Sequence, residues 1–378
     1  MKITEVPELQ SLKDEWPNLL RSSKIDDHVF LTWEWLSLWW KHFGKGRKLL
    51  TLAIEDERRI LAIAPLMLSK HKVPSLGTIN KVEFIGAPHS DYHNFIILDK
   101  EEECLELILK YLKDNISEWD WIELKEIPES TRTARVLRML APRLSPDLKV
   151  KERFCSICPF ISLPASFELL MQAMSRSMRE NFRRYLRKMR ARYDVELHRY
   201  DEAGFSVADA MKTFITLHQE KWQSVNSPGL FGENESFRNF HVDLARSLAD
   251  RGWLGLFFLM ASGEPVAAQY AFEYKQKMYA YLSGFDPEYS KYSIGNLTIM
   301  LILQECIKKG VMEYDMMRGQ ESYKAWWTNE SRRSLEVRLV RRDLLSRFYD
   351  WLTWSRTVDE FQSSTFRNRP LRARQHGA

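Results

Sequence analysis

Tyr279-Ala280-Tyr281-Leu282-Ser283-Gly284-Phe285, then Asp286-Pro287, then Tyr289-Ser290-Lys291-Tyr292-Ser293-Ile294-Gly295-Asn296, is the stretch on which the fold turns. Lys277 to Phe285 alternates inward and outward residues as a strand does, and Asp286-Pro287 breaks the run. From Ile294 a helical pattern runs to Lys309, where Gly310 supplies a stop. A strand, a loop and a helix start in that order point several free backbone N–H groups and the positive helix end at one place, which suits pyrophosphate. Gly295 permits close backbone approach. Ser293 ahead of a helix is equally well read as its N-cap.

Working outward, Trp253 to Ala261 and Val266 to Tyr274 read as a hairpin about Gly263-Glu264-Pro265, preceded by helices Val207 to Val225 and Glu233 to Asp250 and a short strand Val195 to Tyr200. Strand Glu313 to Met317, a short helix, strand Leu335 to Val340 and a closing amphipathic helix follow Gly310. The first half shows the same order. Helix Glu8 to Arg21 and a second helix begun at Thr32 precede a hairpin, Lys48 to Ile54 with Arg59 to Leu68, and short strands Val82 to Ile85 and Asn94 to Leu98. Helix Glu101 to Lys113, strand Trp119 to Leu124 and helix Ser130 to Leu140 complete it. Trp33, Trp35, Trp39 and Trp40 on one helix imply heavy burial or a binding rim. Pro159 to Pro164 reads as a linker, and the architecture occurs twice without a residue-level repeat.

With 378 residues the chain is long enough for two domains. Its 44% hydrophobic and 28% charged residues fit a folded globular protein and exclude a disordered or collagenous one. The longest apolar runs, Ile60 to Leu68 and Trp253 to Ala261, fall far short of a membrane span, and Met1 to Trp16 lacks a secretory h-region, so a cytoplasmic location is expected. Cys104, Cys155, Cys158 and Cys306 are too few and scattered for a disulfide framework. The net charge of +5 is local: Arg176, Arg179, Arg183, Arg184, Arg187, Lys188, Arg190 and Arg192 face only Glu180 between Ser175 and Tyr193. With Met178, Phe182, Tyr185 and Met189 on another stripe, this is an amphipathic basic helix. It is either a solvated face or a seat for a polyanion. Arg367, Arg369, Arg372 and Arg374 form a basic tail.

This double order resembles the GNAT acyltransferase fold in tandem, as in FemAB-like proteins. Several runs resemble the CelD-like branch: Trp33-Glu34-Trp35-Leu36 with Trp39-Trp40 and Phe43-Gly44; Ala64-Pro65-Leu66; Asp91-Tyr92; Cys158 to Pro164; His218 with Trp222; and Tyr314-Asp315 with Gly319 and Tyr323-Lys324. The resemblance implies an α/β chain of two tandem GNAT-like domains, each a mixed, mostly antiparallel twisted sheet flanked by helices. The boundaries expected are 1–158 for a substrate-side domain, 159–194 for the linker and basic helix, 195–345 for the donor and catalytic domain, and 346–378 for a closing helix and basic tail.

The resemblance further implies transfer of an acyl group other than an aminoacyl group from acetyl-CoA or another acyl-CoA to an amine. The acceptor implied is a sugar, nucleotide-sugar, glycan or amino-acid-bearing precursor of polysaccharide or cell envelope. Pantetheine is expected between the strand ending at Phe285 and that beginning at Glu313. Backbone N–H groups at Leu282 and Ser283 serve the thioester oxygen, and Ser293, Ile294, Gly295 and Asn296 the phosphates. Tyr323 protonates the thiolate, and Asp286 and Asp315 are candidates to take the amine proton. Asp315 at a strand end also reads as a loop cap. Lys324, Asp91 and Tyr92 are expected at the substrate. So are His218 and Trp222, four apart on one helix face, which equally form a core pair. The usual GNAT pyrophosphate pattern is incomplete: Ser290 to Gly295 lacks its leading anchor and first glycine. That leaves open an aminoacyl-tRNA donor, as FemAB-like proteins use, and a non-catalytic polyanion-binding module. No metal is expected, although His89, Asp91 and His93 alternate at a spacing compatible with one.

Overall fold

The computed structural model describes residues 1–341, apart from 24–26, 58, 74–76, 145–147 and 233, together with residue 348. The expected closing helix and basic tail thus lie outside the described residues, residue 348 excepted.

The first half runs β1 (Lys2–Glu5), α1 (Trp16–Ser22), α2 (Trp33–Phe43), β2 (Lys48–Leu49), β3 (Leu52–Asp56), β4 (Arg59–Ala64), β5 (Leu66–Val73), β6 (Gly77–Phe84), β7 (Ile96–Ile97), α3 (Glu101–Asn115), β8 (Trp121–Pro128), α4 (Arg132–Leu144) and β9 (Leu148–Ser162). The second runs α5 (Phe167–Ala173), α6 (Arg176–Arg190), β10 (Val195–Arg199), α7 (Val207–Gln223), α8 (Glu235–Asp250), β11 (Leu254–Ala261), β12 (Glu264–Tyr274), β13 (Lys277–Phe285), α9 (Ile294–Lys308), β14 (Glu313–Asp315), α10 (Lys324–Trp327) and β15 (Ser331–Arg341). The helix expected over Glu8 to Arg21 forms only from Trp16, where Pro17 in the first turn fits the helix start. Thr32 caps α2 as its position predicts, accepting from the Trp35 N–H.

Among the described residues, eleven strands form one sheet in the order β10-β11-β12-β13-β14-β9-β15-β8-β6-β5-β2, and β1-β3-β4-β7 form a second. Pro159 to Pro164 is no free linker. Residues 148–159 of β9 pair with β15, and residues 160–162 pair with β14, so one strand joins the sheets of the two halves. Pro159 sits at the hand-over between the two partners, where the N–H it lacks interrupts neither ladder. The chain returns at β15 to pair with β8 of the first half.

The halves also share a core. Trp16, Phe30, Trp35 and Trp39 are fully enclosed with Phe240, Tyr270, Phe272 and Tyr279. The ring of Trp35 meets those of Phe240 and Phe272 edge-on at 5.3 and 5.6 Å. Alternation along β12 and β13 separates the two faces of the second-half sheet. Tyr270, Phe272 and Tyr279 join this aromatic core with α7 and α8, while Ala271 and Met278 join the core under α9.

Candidate active site

Each half holds two parallel strands joined through a helix, β6 with β8 and β13 with β14. In the second half the pairing covers Lys277, Met278 and Tyr279 against Glu313, Tyr314 and Asp315. Beyond it β14 ends and its chain follows β9, with the Met316 and Gly319 N–H groups donating to Pro159 and Ile157 carbonyls at 2.9 and 3.0 Å. β13 continues alone on that side to Phe285. A bulge at Tyr281, between Tyr270↔Leu282 and Ala271↔Ala280, bends β13 where the partners separate. The corresponding opening in the first half is filled from within, since the His93 N–H donates to the Glu126 carbonyl at 2.8 Å and the His93 ring stacks on Phe84.

The helix expected to face the opening, α9, packs on β12 and β13, and its first turn has no side-chain cap. Ser293 has φ 52° and makes no side-chain cap; its hydroxyl instead accepts from Asn296 Nδ2 at 3.2 Å. Ser293 thus holds the N-cap position that its place in the sequence suggests, but its side chain caps none of the free N–H groups. The first main-chain bond of α9 is Leu297 N–H to Ser293 O at 3.0 Å, so the N–H groups of Ile294, Gly295 and Asn296 precede the ladder. A Cβ built on Gly295 meets nothing within 4 Å. Asn296 Oδ1 accepts from Trp327 Nε1 at 3.2 Å, which ties α10 across the first turn of α9.

The remaining sequence candidates divide between the open end of this gap and its root. At the open end, Ser283 Oγ accepts from Lys221 Nζ at 3.0 Å, and the Leu282 carbonyl accepts from Gln269 Nε2 at 2.9 Å. His218 and Trp222 share a face of α7 as their spacing predicts: Trp222 Nε1 donates to His218 Nε2 at 3.0 Å. Burial holds the His218 imidazole neutral by lowering its pKa to about 3. Tyr323 stands at the start of α10, 37% exposed, and its packed surroundings together with Glu321 keep the hydroxyl protonated. Asp286 lies apart from these. Its carboxylate caps the turn that follows by accepting from the Glu288 N–H at 2.9 Å, and it borders an outer cleft with Lys212 and Glu220.

At the root, Asp315 is 1% exposed. Its carboxylate accepts from the Tyr92 hydroxyl at 2.7 Å and from the Met317 N–H at 2.8 Å, so it both caps a loop and joins the halves. Asp91 beside it accepts from the Arg318 N–H at 2.8 Å and pairs with the guanidinium at 3.3 Å, while Arg318 also holds Glu126 at 3.1 Å. Asp91 and Tyr92 are thus inter-half contacts, both buried, rather than groups on an open substrate surface. Lys324 corrects its expectation in the same way. Buried, it donates to the Met317 and Arg318 carbonyls at 3.1 and 3.0 Å and pairs with Glu321 at 3.0 Å, so it fixes the loop after β14. His89, Asp91 and His93 do not converge: His89 accepts from Trp39, Asp91 holds Arg318, and His93 lies against the Lys125 carbonyl. Among the described residues no group of three or more His, Cys, Asp or Glu side chains is placed to hold a metal ion.

Burial pushes the Asp315 pKa up to about 6, against the lowering effect of its hydrogen bonds. A carboxyl raised in the folded state favours the protonated fold. Its contribution is complete below the unfolded value near 3.8 and is lost as pH rises through about 6. Asp315→Asn should therefore lose on the order of 3 kcal/mol less stability than the parent between pH 3.8 and 7. Urea unfolding of both proteins across that range measures it.

Residues 176–325 match the family model described as an acetyltransferase (GNAT) domain. Over both halves the chain is similar in structure to FemX, with 12% identity and a TM-score of 0.61 across 93% of this chain and 100% of that one. The chain has the tandem GNAT fold. L-PGS from Bacillus licheniformis shares the fold at 11% identity and TM-score 0.54, over 95% of this chain and 99% of that one. So does the C-terminal domain of a putative lysylphosphatidylglycerol synthetase from Agrobacterium fabrum, at 9% identity and TM-score 0.51 over 94% and 96%. No curated protein matches the sequence. Among the described residues no helix is long and apolar enough to cross a membrane.

Lys221 and Arg318 belong to the site and escape a reading of the sequence. Lys221 is three residues beyond His218 on an otherwise apolar helix face, which was the available signal. The pairing of Arg318 with Asp91 spans more than two hundred residues of chain, and no local pattern marks it.

Proposed function

We propose that this protein transfers an acyl group to an amine, with the donor seated in the gap between β13 and the loop that follows β14. The observation that carries this reading is the parting of the two strands beyond Tyr279 and Asp315, beside an uncapped helix start. The gap suits the narrow leaving half of a thioester or ester, and the first turn of α9 suits its phosphates. Backbone N–H groups at Leu282 and Ser283 stabilise charge on the carbonyl oxygen as the amine adds, Tyr323 gives its proton to the leaving group as the tetrahedral centre collapses, and the proton shed by the amine passes through water to restore the Tyr323 hydroxyl. Asp315 and Tyr92 position the gap rather than touch the substrate.

An acyl-CoA is the donor we favour, with an acceptor among the amine-bearing sugar or amino-acid precursors of polysaccharide or cell envelope. FemX and L-PGS support a second reading in which an aminoacyl-tRNA occupies the same seat, and the exposed arginines of α6, which packs beside the segment before α9, suit either polyanion. Thermal unfolding decides between them. Coenzyme A at 1 mM should raise the melting temperature and deacylated tRNA should not; the reverse result favours the second donor, and no shift with either refutes the seat.

A further inference from the structure

We infer that Arg47 and His89 of the first half form an anion seat at the seam with the second half, and that the acceptor brings a phosphate or carboxylate oxygen to it. The word acceptor rests on the acyl-transfer reading; the seat stands on its own geometry.

The seat is built around the tryptophan-rich helix α2, whose motif the donor gap leaves unused. Trp39 Nε1 donates to His89 Nδ1 at 2.9 Å. An indole N–H can only donate, so Nδ1 carries no proton and the neutral imidazole holds its proton on Nε2. Burial, with Arg318 and Arg47 close by, keeps the ring neutral by lowering its pKa to about 4. The rings of Phe43 and Phe237 pack against it with centroids 4.5 and 5.3 Å away. The orientation of the ring is thereby fixed, and among the described residues its Nε2–H has no partner.

Arg47 supplies the charge. Its guanidinium lies 5.5 Å from the centre of the Trp39 ring and donates to the Phe43 carbonyl. Nε is enclosed without a partner, and among the described residues no carboxylate lies within 4 Å of the group. Arg318 differs: it donates to the carbonyl of Pro88, next to His89, at 3.0 Å and is balanced by Asp91 and Glu126. A half-buried cation without a counter-ion costs the fold free energy that an oxygen anion from a ligand offsets. Arg47 and His89 are partly exposed, whereas Asp91, Tyr92 and Asp315 at the root are buried, so a ligand reaches the first pair and not the others.

The position of the seat identifies the ligand. The Tyr281 hydroxyl donates to the His89 carbonyl at 2.8 Å, which sets His89 at the bulge where β13 and β14 part. Tyr281 lies with the aromatic core on the α7 and α8 side of the sheet, and Phe237, which touches His89, belongs to α8. α9 packs on the other side, with Ala271 and Met278. An anion at Arg47 and His89 is therefore across the sheet from the helix start assigned to the donor's phosphates, and it belongs to the acceptor.

Nitrogen NMR of the intact protein with isotope-labelled histidines tests the seat. His89 should show the Nε2–H tautomer at pH 7. Inorganic phosphate or acetate, each titrated to 20 mM at low ionic strength, should shift its Nε2 signal while His198 on β10 stays unchanged. The more effective probe names the group the acceptor carries. Arg47→Gln should raise the midpoint of that response about tenfold or more. Should that variant fail to fold, Arg47→Lys, which keeps the charge and loses the planar fork, should raise it about threefold or more. No response to either probe, or an unchanged midpoint in the folded variant, overturns the inference. Neither probe is a donor, so failure to bind coenzyme A or tRNA would remove the acyl-transfer reading and leave this result intact.

Discussion

Gly284→Ala should destabilise the protein by about 3 kcal/mol or more, a large effect for the addition of one methyl group. A Cβ at this position would lie 2.3 Å from the His218 nitrogen and 2.6 Å from its Cα and from the Leu217 carbonyl carbon. All three are backbone atoms of α7, so no side-chain rotation relieves the contact. Ordinary van der Waals separation begins near 3.4 Å, and α7 must retreat from β13 by about an ångström to restore it. Because α7 carries His218, Lys221 and Trp222, the retreat also draws these side chains away from β13. Urea unfolding measures the first consequence, and faster trace labelling of all lysines on α7 measures the second. A loss below about 1 kcal/mol would mean that helix and strand are not in the contact described.

Gly295→Ala should behave in the opposite way. With nothing within 4 Å of the added carbon and an ordinary helical position, alanine should leave stability unchanged or raise it by up to about 0.5–1 kcal/mol. The same methyl group would occupy the space in front of the first turn of α9, where the donor's phosphates are proposed to sit. Affinity for the donor, coenzyme A or tRNA as the thermal experiment decides, should then fall at least tenfold. Calorimetric titration of parent and variant checks it. Unchanged affinity in a stable variant would move the phosphates away from this turn.

These two glycines show how far the sequence could be read. The strand from Lys277 to Phe285 and the helix from Ile294 were legible because their periods are local, and both appear within a residue of the expected bounds. The opposite demands on Gly284 and Gly295 were not legible. One is set by a helix some sixty residues earlier and the other by empty space. The run Pro159 to Pro164 looked like a linker because two prolines bracket it, yet the first stands at the junction of two ladders, a place where proline does no harm. Asp91, Tyr92 and Asp315 were singled out in separate halves, and the fold brings Tyr92 and Asp315 within 2.7 Å. Their burial, which keeps all three off any open surface, is a property of the inter-half core and has no signature in either segment. The same holds for Lys324, whose charge reads as available in the sequence while the fold turns it onto the Met317 and Arg318 carbonyls.

Hydrogen exchange followed by mass spectrometry, with and without saturating coenzyme A or tRNA, tests the seat most directly. Slower exchange should be confined to amides within Leu282 to Asn296 and the loop from Met316 to Tyr323, the two walls and the helix start of the gap. Binding that slows exchange elsewhere and leaves those amides unchanged would contradict the account.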